Sequence, residues 1–179
     1  MKLSVQRRTL RLASALQTSY GAVREREILS VSLTGAEGLT GYGEAAPLEA
    51  YDGVSVERVA RALEAYVPVL ESSRDKNGAQ LIDACRAVDD LPAAFAAIDM
   101  ALWDRAGRRA GKPVAALLTD SPAKAVPVNA TLPARDRAGA ATEAAAAVAA
   151  GFRCLKVKVG VGDDAGRVAA VRAAAGPEI

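Results

Sequence analysis

The sequence holds no histidine, so any acid–base or metal chemistry in it falls to carboxylates, lysines, tyrosines or thiols. Its two cysteines, Cys85 and Cys154, lie far apart and without metal-ligand spacing. A reduced, cytoplasmic chain is therefore expected rather than a disulfide framework. Aromatic residues are scarce at 4%, so a core has to come from aliphatic side chains and alanine. No apolar run approaches the roughly 18 residues that span a bilayer. The opening MKLSVQRRTL alternates instead of forming an apolar block, so no signal peptide is expected. Blocks of one charge are missing too: 23 Lys and Arg mix with 21 Asp and Glu for a net charge of +2. That balance argues against nucleic acid or a membrane as partner. Arg105, Arg108 and Arg109 come nearest to a basic cluster, and cations suit a helix C-terminus.

What is present begins as strands. Residues 2 to 12 alternate through Leu3 and Val5, and residues 27 to 34 through Leu29, Val31 and Leu33. Gly35-Ala36-Glu37-Gly38 reads as a turn and Leu39 to Glu44 as a returning strand, giving a small antiparallel sheet. After the loop Pro47 to Gly53 the period becomes helical. Val56, Val59, Leu63, Tyr66, Val67 and Leu70 share one face, with Ser55 as N-cap. A second helix is expected over about 79–88. A third starts after Pro92, lined by Phe95, Ile98, Leu102 and Trp103, and stops at Gly107 or Gly111. These elements make an α+β domain over residues 1–118.

Residues 119–124 form a polar linker. Beyond it, over 125–179, strands and helices alternate: a strand at 126–131, an alanine-rich helix at 135–150, a strand at 154–159 and a helix at 163–175. Such a βαβα order predicts a parallel sheet with crossover helices. Two βα units cannot close a parallel barrel, which takes roughly 200 residues or more, so the barrel is expected to be incomplete. Asp163 and Asp164 follow Gly160 and Gly162 and read as the N-cap region of the last helix.

Within Cys154-Leu155-Lys156-Val157-Lys158-Val159-Gly160 the two lysines are two residues apart, so on a strand they share a face while Leu155, Val157 and Val159 take the other. Two ammonium groups about 7 Å apart in a confined site disfavour each other's charge, which favours a neutral amine able to act as a general base. A half-exposed strand with lysines on its wet face is the plainer alternative. The surrounding helices count against it, because parallel strands rarely have a wet face.

The stretch GFRCLKVKVG resembles the second barrel strand of the muconate-lactonizing branch of the enolase superfamily, with its Lys-x-Lys pair. Three further segments match in order. Thr18-Ser19-Tyr20-Gly21 resembles the first capping-domain loop. Gly41-Tyr42-Gly43-Glu44-Ala45-Ala46-Pro47 with Tyr51-Asp52-Gly53 resembles the second. Ala97 to Asp104, with Gly111-Lys112-Pro113-Val114, resembles the helix and turn leading into the barrel. The resemblance covers the amino-terminal half of such an enzyme. It implies a capping domain followed by the first two βα units of a TIM-type (β/α) barrel, of the mandelate racemase-like kind, with a small carboxylate substrate bound between them.

It further implies Lys158 as the base that removes the proton α to the carboxylate, and Lys156 beside it offsetting the charge of the enolate. Mg²⁺ would stabilise that enolate in a full-length parent, a homo-oligomer. The metal ligands of the family belong to later barrel strands, so none is assigned here, and the isolated chain is expected to be inactive. Tyr20 and Tyr51 are candidate substrate-facing positions, or plain loop packing; Glu44 reads as structural. Candidate parents are dipeptide epimerase, N-acylamino-acid racemase, muconate cycloisomerase and o-succinylbenzoate synthase. Val126-Pro127-Val128-Asn129-Ala130-Thr131 tilts the choice toward the last. The alternative reading is a non-catalytic oligomerisation or interaction fragment built on the same capping fold.

Overall fold

The structure, a computed structural model, describes residues 1–18, 20–72, 76–160 and 162–179, the side chain of Gln17 aside. Ser19, part of the first expected loop, lies outside the described residues. By contacts the chain divides into two units: Met1–Ser14 with Arg24–Pro122, and Ala15–Val23 with Ala123–Ile179.

The sheet consists of β1 (Lys2–Thr18), β2 (Gly21–Thr34) and β3 (Thr40–Ala45), hydrogen-bonded in that order. β2 and β3 are antiparallel, with Leu29 opposite Ala45 and Thr34 opposite Thr40. Ion pairs Arg7–Glu27 and Arg11–Glu25 show β1 and β2 running in opposite directions as well. Both strands are longer than the expected 2–12 and 27–34. The added residues are mostly exposed, so backbone pairing and not a buried face carries them, and an alternating apolar pattern could not reveal them. The expected turn is present: the Gly35 N–H donates to the Leu39 carbonyl, and Gly38 takes φ +78°.

A short α1 (Glu49–Asp52) lies inside the segment expected as a loop. The helix expected through Leu70 breaks at Tyr66 into α2 (Val56–Ala65) and α3 (Val67–Glu71). Pro68 lacks the N–H that an unbroken helix would need. Ser55 caps α2 as expected, accepting from the Arg58 N–H at 3.2 Å. Then follow α4 (Gly78–Val88), opened by an Asn77–Gln80 capping box, and α5 (Pro92–Ala110), stopped by Gly111 at φ +62°. α6 (Ala115–Leu118) ends this part.

The buried face of α5 is Ala94, Ala97, Ile98 and Ala101. Trp103, expected in the core, is 38% exposed. The reason is close packing of backbone on backbone. A Cβ placed on Gly43 would sit 2.0 Å from the Ala97 carbonyl oxygen, and one on Gly41 2.0 Å from that of Ala101. Small residues on both sides let β3 lie directly against the helix, which turns the bulkier side chains away from the contact. The first core then runs from Leu29, Val31 and Leu33 through Val59, Leu63, Tyr66 and Leu70 to Cys85 and Ile98.

In the second unit β4 (Ala130–Leu132) and β5 (Leu155–Val157) pair in parallel, with α7 (Arg137–Ala149) between them and α8 (Asp164–Ala175) after. Both strands are shorter than expected. The ladder begins where the Ala130 N–H meets the Cys154 carbonyl, just after the Gly151 turn at φ +92°. Val126 and Val128 precede it and are exposed. Leu132, Ala140, Ala144, Ala147 and Val171 form the core.

Candidate active site

β5 brings Leu155 and Val157 against the second core. Lys156, between them and paired in register with Thr131, is exposed, and Lys158 just past the strand end is half-buried. Val159, expected to share the apolar face, is 64% exposed: the strand has already ended, so its alternation no longer holds. Tyr20 is in the hairpin tip that belongs to this same unit and is 41% exposed. The tip turns at Gly21, φ +126°, whose carbonyl accepts from Thr18 Oγ1 at 2.6 Å. Tyr51 lies on α1 in the first unit and is 79% exposed. Its neighbour Asp52 closes that turn. The Leu48 N–H, and more weakly that of Val54, hold the Asp52 carboxyl below its ordinary range.

The segment after Lys158 is tied down by groups that the sequence reading treated only as a helix cap. Asp163 is the N-cap of α8, accepting from the Gly166 N–H at 3.0 Å. Its bond to Arg137, then that N–H, hold its carboxyl below the usual carboxylate range. Asp164 does something different. One oxygen accepts from the Gly160 N–H at 2.6 Å and the other from Arg167 Nη2 at 2.6 Å. Arg167 is fully buried. Its Nη2 also donates to the Lys158 carbonyl at 2.5 Å, and its Nη1 to the Ala134 carbonyl at 3.1 Å. The Ala134 N–H in turn donates to Glu143 Oε2 on α7 at 3.0 Å. Arg167 escaped the sequence reading because a lone arginine in a helix is ordinarily solvated. The available signal was its place four residues before Val171, on the face that packs inward.

The magnesium that the family resemblance implies does not fit the described residues. Among them no three His, Cys, Asp or Glu side chains stand together as a metal site, and Asp163 and Asp164 are engaged with arginines and backbone N–H groups. A groove of about 610 Å³ lined by Leu3, Val5, Leu29, Val56, Ala60 and Leu63 lies in the first unit and contains none of the four predicted site residues. Among the described residues no helix is long and apolar enough to cross a membrane.

Comparison with known proteins adds three findings. The family "Mandelate racemase / muconate lactonizing enzyme, N-terminal domain" matches residues 2–119. The chain is 30% identical to N-succinyl-L-Arg/Lys racemase of Bacillus cereus, over 95% of this chain and 47% of that protein, and 28% identical to o-succinylbenzoate synthase of Geobacillus kaustophilus, over 92% and 45%. The crystal structure of the dipeptide epimerase of Enterococcus faecalis, complexed with Mg and the dipeptide L-Leu-L-Tyr, superposes with a TM-score of 0.89 at 28% identity. It covers 99% of this chain and 51% of the epimerase. The chain thus spans about half the length of the relatives it matches.

Proposed function

The chain belongs to the mandelate racemase/muconate lactonizing enzyme family of the enolase superfamily, and from that premise we propose that it supplies one side of an active site for proton transfer at the carbon next to a carboxylate. Residues 1–118 are the capping domain, 119–124 the linker and 125–179 the first two βα units of a (β/α) barrel. The observation that carries the reading is the lysine pair: Lys156 on β5 and Lys158 at its end, on a parallel strand whose Leu155 and Val157 meet the core.

The chemistry follows from the pair. Lys158 Nζ takes the α-proton, and the electron pair left behind delocalises onto the carboxylate. The ammonium of Lys156 offsets part of that charge. Return of a proton to the opposite face, from an acid proposed to lie on residues other than those described, inverts the centre. Racemisation or epimerisation of an N-acylated amino acid or dipeptide is favoured over o-succinylbenzoate synthesis, because a racemase and epimerases stand among the relatives. Tyr20 and Tyr51 are proposed to face the substrate. Mg²⁺, bound in the Enterococcus faecalis epimerase, is proposed for the whole enzyme on residues other than those described.

The test joins residues 1–179 to the remaining half of the Bacillus cereus racemase and follows α-proton exchange of N-succinyl-lysine and of dipeptides in D₂O with Mg²⁺. Lys158→Ala is expected to slow exchange from one enantiomer by about 100-fold or more. A folded joined protein that exchanges neither substrate, or one whose exchange survives Lys158→Ala for both enantiomers, sinks the reading.

A further inference from the structure

We propose that Arg167 and Asp164 form a positioning clamp for Lys158, and that this pair, through its buried arginine, sets where the lysine amine stands more than the strand does. The inference rests on the proposed role of Lys158 as base, and it concerns two residues that the reaction itself does not use.

Three observations carry it. First, β5 ends at Val157, so Lys158 has left the ladder that fixes Lys156 opposite Thr131. Its backbone also has a partner from outside the sheet. Second, Arg167 holds it: Nη2 donates to the Lys158 carbonyl at 2.5 Å while Nη1 reaches the Ala134 carbonyl past the end of β4 at 3.1 Å. One planar guanidinium therefore ties together the chain ends leaving both strands, a span that the fork geometry of arginine suits and a single ammonium does not. Third, Asp164 closes the ring. It binds Arg167 Nη2 with one oxygen and the Gly160 N–H, two residues beyond Lys158, with the other. One ion pair thus holds this segment at the Lys158 carbonyl and again at the Gly160 N–H.

Burial makes the arrangement stiff. Arg167 is 0% exposed, and a buried charge whose partner is removed is strongly disfavoured. The guanidinium thus has no solvated alternative position, and the carbonyl that it holds is fixed with it. A helix cap alone would not need this, because Asp163 already caps α8.

The experiment uses the 179-residue chain and lysine side-chain NMR after ¹³C reductive methylation, a clean reporter because the other lysines are Lys2, Lys76, Lys112, Lys124 and Lys156. Arg167→Met keeps the apolar stem and removes the fork, Arg167→Lys keeps the charge only, and Asp164→Asn keeps the shape of the carboxylate without its charge. Methyl resonances of Ala144 and Val171 report on the same core. The expected result is that the Lys158 resonance shifts more than that of any other lysine in all three variants, Arg167→Lys included, with the core methyls in place. A Lys158 resonance that moves no more than that of Lys112 in a folded variant overturns the proposal. So does loss of the core methyls in Arg167→Met and Asp164→Asn alike, which would assign the pair to folding alone. Failure of the base assignment shows elsewhere, as proton exchange surviving Lys158→Ala.

Discussion

The two compact units bury their apolar residues in different ways. The first closes a core of large aliphatic side chains, from Leu29 and Leu33 on the sheet to Leu63, Leu70 and Ile98 on the helices. The second has three alanines, Leu132 and Val171, with a fully buried arginine beside them. Alanine buries little area, and apolar burial contributes roughly 25 cal/mol per Å², so α7 gains close approach to the strands rather than much hydrophobic stabilisation. The second unit instead holds its chain ends by polar ties: Arg167 to two carbonyls, Glu143 to the Ala134 N–H, Asp136 to the Gly139 N–H. The difference separates a part stabilised by apolar burial from a part whose chain ends are held by polar ties.

That contrast breaks most readily in the first core. Leu63 is fully buried, and Leu63→Ala is expected to cost about 2–5 kcal/mol through lost transfer energy and a residual cavity. Urea denaturation followed at Trp103, the single tryptophan, measures it within the first unit. A loss below about 1 kcal/mol would mean that this core collapses around the gap and is looser than described.

Next in size is Gly43→Ala, where the new methyl would meet the Ala97 carbonyl at 2.0 Å. Overpacking of this kind costs about 1–3 kcal/mol or more, again read at Trp103. Gly38→Ala, in the same unit, is the matched control. It has open space around it but a φ of +78°, so its penalty is conformational strain, not collision. If both substitutions cost the same at Trp103, the close approach of β3 to α5 is not what demands glycine there.

Those glycines illustrate what was legible in the sequence. The Gly41-Tyr42-Gly43 spacing was visible as a motif, but its cause, backbone contact with α5, needs both partners in space. The alternation of Leu29, Val31 and Leu33 located β2 because one of its faces is buried. It missed the outer hairpin because an exposed ribbon has no apolar period. Trp103 was misplaced because it was grouped with Phe95, Ile98 and Leu102 on one side of the helix, where the contact in fact selects alanine. At the candidate site the spacing of Lys156 and Lys158 could be read from the two-residue strand period. The clamp on Lys158 could not, since Asp164 and Arg167 look like ordinary helix-start charges until burial is known.

A smaller effect sharpens the comparison from the second unit. Asp136 caps α7 by accepting from the Gly139 N–H at 2.8 Å, and Asp136→Ala is expected to cost about 1 kcal/mol. Amide hydrogen exchange should rise in the first turn of α7 and leave α5 unchanged. Faster exchange in α5 would show that the two units do not open separately.

The smallest effect per group is that of pH, and its sign follows from the carboxylates. Asp89 is held below its ordinary range by the bidentate Arg58 pair, and Asp163 by Arg137 and the Gly166 N–H. Each is depressed in the folded chain relative to an unfolded value of about 3.9. Their stabilisation is therefore fully present at neutral pH and is lost as pH falls below about 4 through the folded values. Thermal denaturation should give a Tm that changes little between about pH 7 and 5 and declines in more acid solution. Asp89→Asn should flatten the decline seen at Trp103, because Asp89 is only 21% exposed where it meets Arg58. Asp163→Asn should flatten it less, because Asp163 and Arg137 are 49% and 68% exposed and solvent screens the pair. Equal flattening by the two would mean that the first unit gains nothing electrostatic from its deeper burial.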